Sequence, residues 1–70
     1  MKTIIGRSVA SAEKALRNYN DIRVRITFKG EFVQYYGFLY FPEWLKMLEI
    51  KNAYVAKRGE NFVLFLTVEN

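Results

Sequence analysis

From Asp21 to Lys29 apolar and polar residues alternate without a break, with Ile22, Val24, Ile26 and Phe28 on one parity and Arg23, Arg25, Thr27 and Lys29 on the other. A period of two predicts a strand with one buried face. Lys29-Gly30 offers a turn, and the aromatic and β-branched run from Glu31 to Phe41 predicts a long second strand. Pairing Thr27 with Phe32 sets Val24 opposite Tyr35 and Ile26 opposite Val33 on one side. It leaves Arg23 and Arg25 beside Tyr36 and Gln34 on the other, so that one side of the hairpin is basic and aromatic.

Upstream the period is helical. Val9, Ala12, Leu16 and Tyr19 recur on one face, Lys14, Arg17 and Asn18 lie on the other, Ser8 or Ser11 can cap the start, and Asn18-Tyr19-Asn20-Asp21 marks the stop. Downstream, Ala53 to Lys57 and Phe62 to Val68 are strand-like, and Arg58-Gly59-Glu60-Asn61 joins them as a second hairpin. The stretch between the hairpins carries two patterns. Pro42 followed by Glu43, Trp44, Leu45 and Leu48 fits a two-turn amphipathic helix, while Leu48, Ile50 and Asn52 alternating with Glu49 and Lys51 fit a third strand fed by a loop.

Seventy residues predict a single domain over residues 1–70, with a core small enough that self-association is the natural route to further burial. A hydrophobic content of 51% sets the chain apart from disordered sequences. No apolar run reaches the ~18–20 residues that cross a bilayer, and Met1 to Arg7 is too short for a signal-peptide core, so a cytoplasmic protein without membrane contact is expected. The chain has no Cys and no His, which removes disulfides, thiolate and imidazole chemistry and the common zinc sites. The carboxylates Glu13, Asp21, Glu31, Glu43, Glu49, Glu60 and Glu69 are scattered, and the four glycines are isolated, so neither a catalytic pair nor a phosphate-cradling loop is predicted. A non-catalytic protein without metal or cofactor is expected.

Eleven Lys and Arg against seven acids give a net charge of +4, which suits contact with a polyanion. Arg23, Arg25 and Lys29 are candidate phosphate contacts, and Tyr36, Phe38 or Tyr40 can stack unpaired bases. The competing reading is structural, since the second strand is apolar on both faces and can pack on the helix or meet another subunit. Around the second turn Lys57, Arg58, Gly59 and Asn61 form a further cluster suited to a phosphate or carboxylate, or simply a solvated hairpin tip. Trp44, with Phe38 and Tyr40, is a candidate partner interface, against the plainer role of capping the core.

Gly37, Leu39, Leu48, Ile50, Asn52 and Ala53 fall without a gap on a motif of the Sm-like family, Gly-x-Leu-x-x-Phe-Asp-x-x-Met-Asn-Leu-x-Leu-x-Asn-Ala, with Glu43 where the family has Asp. Arg58, Gly59, Asn61, Phe62 and Phe65 match its second motif, so that residues 21–68 resemble the Sm-like family of LSm proteins and bacterial Hfq. Pro42, Lys46 and Met47 depart from it, the last standing where the family has the Asn that reads uracil; Leu45 takes the neighbouring base-stacking position, and only Arg58 and Gly59 of the uridine pocket remain. The resemblance implies an α+β fold, a helix followed by a strongly bent antiparallel sheet of four to five strands, assembled into a homo-oligomeric ring that takes single-stranded RNA, with Arg58 near the pore. The alternative is a helix, hairpin, helix, hairpin protein with residues 42–50 helical, acting on a protein partner as small regulators or inhibitors of phage or archaeal type do.

Overall fold

The computed structural model describes residues 2–19 and 21–70. Met1, and Asn20 within the predicted helix stop, lie outside them. The architecture is α+β. Helical segments at the N-terminus and in the middle of the chain cover one face of a four-stranded sheet made of β1 (Arg23–Phe28), β2 (Glu31–Tyr35), β3 (Glu49–Arg58) and β4 (Asn61–Glu69), in the order β2-β1-β4-β3.

Both hairpins form where the sequence places them. β1 and β2 pair with Thr27 opposite Phe32, Ile26 opposite Val33 and Val24 opposite Tyr35, the register predicted from alternation. Their two-residue loop holds Lys29 at φ 53 and Gly30 at φ 79, the doubly positive turn whose twist matches that of the strands. β3 and β4 close around Gly59-Glu60, with Arg58 opposite Asn61 and Gly59 at φ 63. A bulge at Lys51 interrupts β3, between the pairs made by Ile50 and Asn52.

The sheet is mixed, where antiparallel pairing throughout was expected. The two hairpins join through their inner strands, and β1 runs parallel to β4 from Arg23 beside Val63 to Phe28 beside Val68. Two antiparallel hairpins joined in this way need a return path from the end of β2 to the start of β3, and a crossover takes about a dozen residues or more. Residues 36–48 supply it. They contain a 3₁₀ turn at Phe38–Tyr40 and a single helical turn, α2, at Glu43–Lys46.

That crossover explains two further differences from expectation. The second strand ends at Tyr35 instead of running to Phe41, because a 3₁₀ turn puts Phe38 and Phe41 on the same side, three residues apart. Their ring centroids are 5.2 Å apart, and Phe41 lies 5.3 Å from Tyr35. Continued as a strand, the segment would point half of these rings at water. Residues 42–50, read as either helix or strand, divide instead. Pro42 caps α2, Leu45 and Leu48 turn into the core, and β3 starts at Glu49.

The N-terminal helical stretch consists of a 3₁₀ turn at Ala10–Ala12, the short helix α1 at Glu13–Leu16 and a second 3₁₀ turn at Arg17–Tyr19. At its start Ser8 Oγ accepts the Ser11 N–H at 3.1 Å while Ser11 Oγ donates to the Ser8 carbonyl at 2.9 Å, so the predicted serine cap is reciprocal. Val9, Ala12 and Leu16 are buried as their spacing predicts, with Tyr19 partly so. They join Ile4, Phe38, Phe41, Leu45 and Leu48 against Val24, Ile26, Ile50, Ala53, Leu64, Leu66 and Val68 in one cluster. Residues 6–9 also run along the first part of β3, where the Gly6 and Val9 N–H groups donate to the carbonyls of Ile50 and Leu48 and Ile50 N–H donates to Arg7. No helix among the described residues is long and apolar enough to cross a membrane.

Because Phe38 is 3% exposed and Tyr40 67% exposed, these two aromatics, two residues apart in the same turn, should respond differently to truncation. Phe38→Ala is expected to cost about 3–5 kcal/mol in urea unfolding. Tyr40→Ala should stay within about 0.5 kcal/mol of wild type. Equal losses would mean that the segment does not turn inward.

Candidate nucleic-acid interface

With every helical segment on one side, the other face of the sheet has no helix against it, although Val63 there is buried by its neighbours, and the strand registers arrange its side chains in rows running across the strands. The central row reads Tyr54 on β3, Phe65 on β4, Arg25 on β1 and Gln34 on β2. On one side of it lie Ala56, Val63 and Arg23, and on the other Asn52, Thr67, Thr27 and Phe32. Tyr36 follows β2 at the end of the Arg23 row.

The central row is aromatic and cationic at contact distance. The Tyr54 and Phe65 rings stack at 4.9 Å, inclined by 10°. The Arg58 guanidinium carbon lies 4.9 Å from the Phe65 centroid and that of Arg25 5.6 Å away, so one ring holds two arginines. Arg23 stands 5.9 Å over Tyr36, whose ring meets Tyr40 edge-on at 6.4 Å. The rings hold these guanidinium groups against the sheet, and Arg58 Nη1 also donates to the Lys57 carbonyl at 3.2 Å, so its remaining donors are the ones open to phosphate oxygens.

No carboxylate occupies these three rows among the described residues. Along β3 and β4 the nearest acids are Glu49 and Glu69, paired with each other beyond the Thr67 row, and on β2 Glu31 adjoins Phe32 with the opposite parity. Glu49 is bridged by Lys51 at 2.9 Å, and that hydrogen bond, with the attraction of the same carboxylate, holds the Lys51 ammonium charged to above its ordinary pKa. At the opposite end Arg23 and Asn61 line a shallow cleft with Asp21, Ile22 and Phe62.

The sequence-predicted residues therefore separate. Arg23, Arg25, Tyr36 and Arg58 come together on the open face, with Gly59 forming the adjacent turn and Asn61 opposite Arg58. Lys29 does not join them. Its ammonium lies 5.2 Å from the ring of Phe28, which faces the helical layer and Trp44, because a left-handed turn residue leaves the alternation of the strand before it. Lys57 pairs with Phe62 on the parity of Leu64 and Leu66, and so projects to the helical side of the hairpin tip. Phe38 cannot serve as a partner surface, since it is core. Trp44, 49% exposed, lies with Phe28 on the helical side, and Tyr40 is exposed at the crossover.

Tyr54, Phe65, Phe32 and Gln34 complete the face, although the sequence reading did not single out Tyr54 or Phe65 as binding residues. A signal for them was present. Once the turn sets Arg58 opposite Asn61, Tyr54 must face Phe65, and β4 alternates Val63, Phe65 and Thr67 against the core residues Leu64, Leu66 and Val68. What the hairpin alone cannot supply is Arg25 beside that pair, which depends on the parallel joint.

Among the described residues no group of acidic side chains is arranged to hold a metal ion. Compared with known proteins, the chain matches no family model, no curated protein and no solved structure.

Proposed function

We propose that the protein is a non-catalytic cytoplasmic domain that binds single-stranded nucleic acid, RNA first, on the open face of its sheet. The observation that carries this reading is the row Tyr54, Phe65 and Arg25, flanked by Arg23 and Arg58 and containing no carboxylate. Unpaired bases present a flat π surface that stacks on exposed rings whatever their identity, and the intervening phosphates pair with arginine. A duplex presents phosphates too, but keeps its base faces inside the stack. The reading draws on the side chains and not on the Sm-like resemblance, because a mixed sheet departs from the antiparallel one which that resemblance implied. It also implies modest sequence discrimination, since among the described residues the neutral polar groups of the three rows are short or scattered: Gln34, Thr27, Thr67 and Asn52, with the Tyr54 hydroxyl.

The reading as a protein-binding regulator takes its support from the other side, where Leu39, Tyr40, Trp44 and Met47 are exposed. Trp44 separates the two. Its emission should be unchanged when a strand binds the open face, and should shift when a partner covers the crossover.

Fluorescence anisotropy with a labelled oligouridylate of about ten nucleotides tests the proposal. Affinity should fall as salt rises from about 50 to 200 mM, with a log–log slope near −2 if about three phosphates are neutralised. Arg25→Gln and Arg58→Gln should each flatten that slope by about 0.7, whereas Lys29→Gln and Lys57→Gln, on the other side of the sheet, should change it far less. Tyr54→Ala, at the exposed ring of the stacked pair, should weaken binding about tenfold through lost stacking, in a protein whose melting is checked in parallel. Equal effects of the Arg and Lys substitutions would refute the open face as the binding surface.

A further inference from the structure

The sheet has two edges, and they are not treated alike. The outer edge of β3 is defended: residues 6–9 bond along its start, a bulge at Lys51 breaks its line, and Lys57 and Arg58 charge its end. Bulges, covering segments and cations are the usual means by which a sheet edge avoids pairing with another chain. β2 has none of these. It is a regular five-residue strand, Glu31–Tyr35, with Glu31 as its single charge, and among the described residues only β1 pairs with it. Two of its apolar side chains remain in water, Phe32 at 70% and Val33 at 40% exposure.

The hydrogen-bonding direction of β2 follows from its turn. Phe28 and Glu31 flank the two-residue loop and form the bonded pair that closes it. Antiparallel pairing alternates, so Val33 and Tyr35 also direct their backbone groups at β1, while Phe32 and Gln34 direct theirs outward. A second β2 strand laid antiparallel about a twofold axis through Val33 brings Phe32 of each copy opposite Gln34 of the other, so that all of these outward groups find partners. Val33 then faces Val33, and Glu31 faces Tyr35. No like charges meet, and the strand is complementary to itself.

From this we infer that the outer edge of β2 is the seam of a homodimer, two copies pairing through Phe32 and Gln34 about a twofold axis at Val33. A seam of this kind is isologous and closed, so it stops at two chains instead of propagating. It covers the apolar side chains that a small domain can least leave exposed. Since the axis stands perpendicular to the sheet, both open faces lie on the same side, and the Tyr54, Phe65, Arg25, Gln34 row of each copy runs on into the Phe32, Thr27, Thr67, Asn52 row of the other. The inference rests on the edge alone and stands whether or not the face takes nucleic acid.

Light scattering after size exclusion, with nucleic acid removed, should give twice the chain mass of 8.3 kDa. Val33→Lys sets two ammonium groups against each other on the axis, and should return the mass to a single chain with an unchanged circular dichroism spectrum. The chain contains no Cys, so single cysteines report the seam directly. Opposed residues of a non-bonded antiparallel pair have Cα atoms about 4.5 Å apart, within reach of a disulfide. Val33→Cys should therefore cross-link to a dimer under copper-catalysed air oxidation, while Val55→Cys on β3 should not. A wild-type mass of one chain at millimolar concentration, or a dimer that Val33→Cys fails to cross-link, would overturn the inference.

Discussion

The parallel pairing of β1 with β4 is the constraint on which the molecule depends. Each hairpin alone is a two-stranded ribbon with one apolar side, and such ribbons are marginal in water. Joined along their inner strands they present Val24, Ile26, Leu64, Leu66 and Val68 as one apolar surface, broad enough for the N-terminal helical stretch and the crossover to pack upon. The same joint builds the opposite face, because it sets Arg25 next to Phe65 and Arg23 next to Val63. Core and candidate interface are thus the two sides of a single pairing.

Much of this was legible in the chain. Strict alternation over residues 22–28 gave the first strand and the face it buries, and the Lys29-Gly30 turn fixed its register with β2 to the residue. The helical spacing of Val9, Ala12 and Leu16 located the N-terminal packing face, and the serines beside it located the cap. Local patterns succeed there because local geometry decides the outcome.

They fail where distant burial decides. The run from Tyr36 to Phe41 has strand composition, yet it curls so that Phe38 and Phe41 can meet Tyr35 in the core. No local signal separates a strand that is apolar on both faces from a crossover that alternates inward and outward rings. The direction of the central pairing was equally hidden, since two hairpins of the same sequence can join parallel or antiparallel, and only the length and apolar content of residues 36–48 select between them. For the candidate site, Arg23, Arg25, Tyr36 and Arg58 could be read from parity and turn position. The separation of Lys29 and Lys57 from them follows from a left-handed turn residue and from the parity of the tip, details finer than a count of basic residues.

The joint between β1 and β4 links residues about 40 positions apart, Arg23 beside Val63 being one such pair. Neither hairpin carries more than part of the central row: one brings Tyr54 and Phe65, the other Arg25 and Gln34. A ligand that engages the whole row has nothing equivalent to hold in the unfolded chain or in a half-assembled one. Occupancy and folding are therefore thermodynamically linked, and at a ligand concentration about 100-fold above Kd the native state gains about 2.7 kcal/mol. For a chain of this length, that is a sizeable fraction of the whole free energy that keeps it folded.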